Sequence, residues 1–174
     1  MPDNEIFPIV DEQGNTIGSA TRRECHSGSH LLHPVVHLHV FDRQGRIYLQ
    51  RRSMDKFIQP GKWDTAVGGH RDLGEDTMQA LVRETSEELG FSGFTPVKLF
   101  SYILDNDIER EWVDTFYTAT DRQSFDYDPG EVMDGRFWTL DEVRRAIGTG
   151  VLTPNFEQEF EQVADIVGKA FINK

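Results

Sequence analysis

The sequence predicts an α+β protein of the α/β class, an α/β/α sandwich around a mixed β-sheet. Three observations predict it. Runs with strand-like alternation lie on both sides of one amphipathic helix, two more helical segments close the chain, and no repeat, linker or low-complexity tract divides it. At 174 residues the chain can build one well-buried core and is short for two, so residues 1–174 read as a single domain.

The elements follow in order. "IFPIV" and "TIGSAT" flank the turn-like "DEQGN", predicting an N-terminal hairpin, and "RRECHSGSH" reads as a polar connection. "VVHLHVF" alternates Val36, Leu38 and Val40 with His37 and His39, and "RIYLQRR" follows the Gly-containing "DRQG", making this the best strand pair in the chain. Further strands are expected at "WDTAV", "VKLFSYIL", "REWVDTFYTAT" and "GRFWTL". The first helix starts at a capping box of Asp76 and Gln79, buries Met78, Leu81, Val82, Thr85 and Leu89, and stops at Gly90. The second, "TLDEVRRAI", is capped by Thr139 and Glu142. The third begins at Thr153 with Pro154 in its first turn and carries an apolar stripe of Phe156, Phe160, Val163, Val167 and Phe171.

Composition narrows the function classes. The net charge of −12 opposes binding to a phosphate backbone, which argues against nucleic acid and for divalent cations as partners. No apolar run approaches a membrane span, and the start "MPDNEIFPIVDEQGN" lacks a basic region followed by an apolar one, so a cytoplasmic protein without membrane attachment is expected. The single cysteine, Cys25, rules out an intrachain disulfide or a cysteine zinc cluster. The expected partner is a small-molecule diphosphate; a homodimer is left open.

The densest charge lies in "GGHRDLGEDTMQALVRETSEELGF", Gly68 to Phe91. On the first helix Glu84, Glu87 and Glu88 fall at i, i+3 and i+4, so their carboxylates share a face, about 120° from the apolar stripe. Like charges at these spacings weaken an isolated helix by roughly 0.2–0.5 kcal/mol per pair, so helix stability does not explain them. Converging hard oxygen ligands suit Mg²⁺ or Mn²⁺, with coordination positions left for water and phosphate oxygens.

Gly69, Glu75, Arg83, Glu84, Glu87, Glu88 and Gly90 fit every fixed position of the box G-x5-E-x7-R-E-U-x-E-E-x-G-U, and the segment thereby resembles the Nudix hydrolases. Thr85 stands where that family usually has an aliphatic residue, a change of packing only. The resemblance implies the Nudix fold, with a loop–helix–loop holding metal against a diphosphate-linked substrate. It implies Glu84, Glu87, Glu88, Glu75 and the carbonyl of Gly69 as the metal set, and Arg83 as the residue that orients the glutamates. Glu87 and Glu84 rank ahead of Glu75 as general base.

A second constellation narrows the subgroup. Five of the 6 histidines lie between His26 and His39, and the other is His70, inside the box. "QRRSMDKFIQPGKWDTAVGGH" is similar to the segment before the active site of type I isopentenyl-diphosphate isomerases, which share the Nudix fold. That resemblance implies a second metal, a transition metal, held by His26, His33, His70, Glu109 and Glu111, with Arg52 and Lys56 on the substrate diphosphate. Imidazole with carboxylate suits Mn²⁺, Fe²⁺ or Zn²⁺. His30, His37 and His39 read as ordinary strand or loop residues, Tyr102 matches an isomerase catalytic position, and Trp63, Trp112 and Phe57 wall a pocket or fill core. The isomerases use a cysteine where this chain has Gly68, and they lose most of the acidic residues kept here. The expected activity is therefore metal-dependent hydrolysis of a diphosphate linkage by water. Isopentenyl-diphosphate isomerisation and nucleotide binding without turnover are the alternatives.

Overall fold

A computed structural model describes residues 3–172; Met1 and Pro2 of the expected leaderless start, and the terminal Asn173 and Lys174, lie outside the described residues. The order is β1 (Ile6–Val10), β2 (Thr16–Thr21), α1 (Arg22–Cys25), β3 (Leu32–Asp42), β4 (Ile47–Arg52), β5 (Trp63–Thr65) and β6 (Val67–His70). Then come α2 (Thr77–Leu89), β7 (Val97–Asp105), β8 (Arg110–Thr120), β9 (Val132–Trp138), α3 (Leu140–Ala146) and α4 (Pro154–Ile172).

Turn chemistry sets the hairpins. Asp11 Oδ1 accepts the backbone N–H of Gln13 and of Asn15, both at 2.9 Å, folding β1 antiparallel on β2, and Gly14 supplies the φ of 85°. Asp42 does the same between β3 and β4, accepting from Gln44 and Arg46. The polar connection expected after β2 contains a helix instead: Thr21 and Glu24 form a reciprocal capping box that starts α1 and places Cys25 in the interior.

The main sheet runs β5-β4-β3-β8-β7, with β6 also paired to β3 and β9 to β4. β3 meets β4 in register only at Val40↔Tyr48 and Phe41↔Ile47. Its long partner is β8, parallel from Leu32↔Arg110 to Asp42↔Thr120. The expected hairpin is therefore real but short, and β3 is a central strand with α2 on one face and α4 on the other.

Side chains of β3 alternate between two layers. Val36, Leu38 and Val40 pack with Ala80, Leu81 and Leu89 of α2, while Phe41 packs with Phe156, Phe160, Val163 and Val167 of α4. The result is the α/β/α sandwich expected. On α2 the buried arc is rotated from the expected one: Leu81, Thr85 and Leu89 are covered, but Met78 and Val82 are 43 % and 48 % exposed. At 100° per residue Glu84 and Glu88 lie beside Leu81 on the covered side and border the apolar stripe, and only Glu87 stands 120° from Leu81, exposed. Thr85 fits its apolar site because its hydroxyl donates to the Leu81 carbonyl at 2.7 Å. No helix among the described residues is long and apolar enough to cross a membrane.

Candidate active site

One edge of β3 is shared. It pairs with β6 over Val35–Leu38 and with β4 over Val40–Phe41, so β4 and β6 part from each other and leave a cleft. α2 closes one side of it. Glu88 Oε2 accepts from Gln50 Nε2 of β4 and from the Gly68 N–H of β6, each at 3.2 Å. Glu84 lies flat on β6: a Cβ at Gly69 would stand 2.1 Å from its Cδ, so the site requires glycine there.

Arg83 organises these carboxylates. Its Nε and Nη2 grip Glu75 at 2.6 and 2.9 Å, its Nη1 donates to Glu84 at 2.8 Å and Glu87 at 3.3 Å, and its Nη2 also reaches the His70 carbonyl at 3.0 Å. Glu75, which also accepts the Asp72 N–H, is held below the usual carboxylate range by the Arg83 fork and is occupied as a brace. Burial pushes Glu84 up to about 7 against the pull of Arg83, and burial with the charge of Glu84 pushes Glu88 up to about 8. Glu87, its side chain 59 % exposed, points to solvent.

The second constellation assembles on the other face of β6. His33 of β3, His70 of β6, Glu111 of β8 and His26, which follows α1, bring one ligand atom each within 4.8 Å of one another. Register explains the meeting: His33 pairs with Glu111 across β3–β8, and His70 pairs with Val35. Phe7 stacks on His70 at 4.5 Å between ring centroids and fixes its plane. His33 Nδ1 lies 2.9 Å from the Leu31 carbonyl, which selects the tautomer with the proton on Nδ1 and turns the Nε2 lone pair inward. The Nε2 atoms of His33 and His70 are buried without a hydrogen-bond partner. Burial lowers the pKa of both imidazoles, that of His70 well below its ordinary value, and burial beside Glu109 raises Glu111 to about 8. Neutral, orphaned imidazoles beside a carboxylate fit a divalent transition metal. Glu109 stands outside this four-residue group, with Oε2 3.0 Å from His26 Nε2; despite burial, that imidazole holds its carboxylate low.

Other expected site residues are engaged elsewhere. Arg52 donates to the Ile58 carbonyl at 3.1 Å and lies 3.5 Å from Asp64, and Lys56 pairs with Glu131. Phe57 is 95 % exposed and walls nothing, whereas Trp63 packs on Trp138. His30 is an exposed loop residue near Asp105. His37 and His39 are not ordinary strand residues: together with Tyr102 they hold the buried Glu159 of α4. The alternation in "VVHLHVF" puts both histidines on one face, but their partner lies far along the chain in a helix that reads as apolar.

Residues 31–157 match the NUDIX domain family. The chain belongs to the Nudix family. An isopentenyl-diphosphate Delta-isomerase of Citrobacter koseri is 34 % identical over 144 residues, 80 % of this chain and 80 % of that protein. The isopentenyl-diphosphate Delta-isomerase of Streptomyces griseus is 43 % identical over 87 residues, and there the chain spans only 44 % of its relative's length. An uncharacterized Nudix hydrolase of Streptomyces coelicolor is 36 % identical over 115 residues, 66 % of this chain and 63 % of that one. A solved protein from Deinococcus radiodurans shares the fold at a TM-score of 0.76 and 21 % identity, covering 95 % of this chain and 98 % of its own. This Nudix chain therefore falls in a subgroup resembling the isomerases.

Proposed function

We propose that this Nudix chain is a metal-dependent hydrolase that cleaves the diphosphate linkage of a small organic diphosphate, such as a nucleoside diphosphate derivative, by attack of water. The observation that carries the reading is the retention of Glu84 and Glu87 on Arg83, and of Glu88 on the Gly68 N–H, against the bare backbone of Gly68 and Gly69. Glu84, Glu87, Glu88 and the Gly69 carbonyl would hold Mg²⁺ or Mn²⁺, and His26, His33, His70 and Glu111, with Glu109 adjoining, a second transition metal. Such ions, when bound, offset phosphoryl charge and acidify water. Arg83 keeps the carboxylates oriented, and Glu84 or Glu87 takes the proton of the attacking water. Arg52 and Lys56 reach the substrate by exchanging Asp64 and Glu131 for phosphate oxygens.

The names of the relatives and the His/Glu cluster favour a second reading, isomerisation of isopentenyl diphosphate. Gly68 opposes it, because shifting a double bond needs a proton donor and acceptor on opposite sides of the substrate and glycine supplies neither. Two assays separate the readings. A screen with Mg²⁺ or Mn²⁺ should show orthophosphate released from nucleoside diphosphates or prenyl diphosphates, or paired phosphate esters formed from nucleotide sugars or dinucleoside polyphosphates. Incubation with isopentenyl diphosphate in deuterated water should yield no deuterated dimethylallyl diphosphate; product at a rate of order one per second, typical of working enzymes, would install the isomerase reading.

A further inference from the structure

Glu159 belongs to neither carboxylate cluster, yet it is only 2 % exposed and fully hydrogen-bonded. Its Oε1 accepts from His37 Nδ1 at 2.7 Å and from the Tyr102 hydroxyl at 2.6 Å, and its Oε2 lies 3.0 Å from His39 Nε2. Core stability does not require such a group, because a buried charged pair costs desolvation that apolar packing of the same volume avoids.

The group has one open end. The His39 side chain is fully buried, but that of His37 is 12 % exposed and sits opposite Gly68 in the β3–β6 register. Its ring approaches the place where a Gly68 Cβ would stand, Cδ2 at 3.5 Å and Nε2 at 3.7 Å. With Nδ1 committed to Glu159, Nε2 is turned away from that carboxylate and lies beside Gly68, and it has no hydrogen-bond partner among the described residues. The glycine leaves that approach clear of a side chain. Burial disfavours charge on His37, but Glu159, helped by Asp64 and Glu111, overrides it and holds the imidazole protonated with a pKa of about 9. A donor of positive charge therefore stands beside Gly68 on the face of β6 that carries His70, while Glu88 meets the Gly68 N–H from α2 on the opposite face.

We propose that His37 is a substrate-binding residue whose Nε2–H donates to a phosphoryl oxygen of the bound diphosphate at the Gly68 side, and that Glu159 is the positioning residue that aims it, steadied by Tyr102 and His39. This rests on the diphosphate reading and adds to it a cation built into the sheet. A phosphoryl group entering among carboxylates needs such a donor, and Arg52 and Lys56 both have to leave other partners first.

Binding of methylenediphosphonate with Mg²⁺, a probe that is not hydrolysed, tests it by calorimetry at pH 7.5. His37→Gln should weaken binding by about ten- to hundredfold, the scale of a charge-assisted hydrogen bond, and Glu159→Gln should weaken it in the same direction with His37 still present. Nitrogen-15 NMR of the unmutated protein gives an independent readout even if a variant fails to fold: the probe should shift His37 Nε2 and leave His39 unmoved. Equal affinity in a folded His37→Gln, or an unmoved His37 Nε2 in the saturated protein, overturns the proposal while the hydrolase reading stands. Failure of the unmutated protein to bind the probe overturns both.

Discussion

The two faces of β6 carry two kinds of carboxylate cluster. On one, Glu75, Glu84 and Glu87 are gathered by Arg83, so much of their mutual repulsion is offset within the protein. On the other, His26, His33, His70 and Glu111 surround buried lone pairs with no Lys or Arg among them. The first cluster carries its own counter-charge, and the second requires one from outside. The comparison teaches that similar ligand chemistry can be prepared in two ways: by an internal cation that holds anions ready, or by neutral imidazoles held with their lone pairs turned inward.

Four measurements would break or sharpen this contrast. Removing one carboxylate from the Arg83 cluster should act on turnover: Glu84→Gln and Glu87→Gln are each expected to keep the fold and lower metal-dependent diphosphate hydrolysis by at least ~10²-fold. Whichever retains activity within a factor of a few is not the base. Removing an orphaned imidazole should act on metal: protein purified without chelator or His tag should contain a transition metal by elemental analysis, and His33→Ala should lose it. Unchanged metal content would erase the distinction between the faces.

Gly69→Ala should disturb the first face alone. Its methyl would meet Glu84 at 2.1 Å, so a loss of about 1–3 kcal/mol in denaturant unfolding is expected, with the transition-metal content unchanged. The smallest effect concerns pH. His37 has its pKa raised to about 9 by Glu159, against the tendency of burial, with Asp64 and Glu111 adding to the field and His39 and Tyr102 held on the same carboxylate. A raised folded-state pKa contributes stability that is complete below the unfolded value near 6.5 and disappears as pH rises through about 9. The melting-temperature difference between the unmutated protein and His37→Gln should therefore shrink between pH 7 and pH 10; a constant difference would show that Glu159 does not hold His37 charged.

Local chemistry made much of the fold legible. Asp76 with Gln79, Thr139 with Glu142, and the left-handed Gly90 mark helix ends by interactions within a few residues, and the structure has them where the sequence places them. The same rule would have found α1, since Thr21 and Glu24 are spaced as a capping box. Long-range partners were less legible. Alternation in β3 says which residues share a face but not what covers that face, so His37 and His39 gave no sign of Glu159. The resemblance to the isomerases brought His26, His33, His70 and Glu111 into view together, and the fold gathers those four. It could not show that Glu75 is gripped by Arg83, or that Glu109 faces His26 from outside the tight group, because both depend on side-chain geometry.

The parallel pairing of β3 with β8 has a consequence for how the chain reaches its native state. His33 and Glu111 become neighbours only after β4, β5, β6, α2 and β7, all of which lie between them in the chain, have been looped out and returned. Closing so large a loop is entropically costly and slow, whereas α2 and the β1–β2 hairpin depend on contacts within a few residues. The acidic helix can form early, and the imidazole cluster cannot exist until the β3–β8 closure is complete. In a refolding experiment followed by pulsed hydrogen exchange, the amides of α2 should be protected before those of β8, and metal uptake by the histidines should trail both.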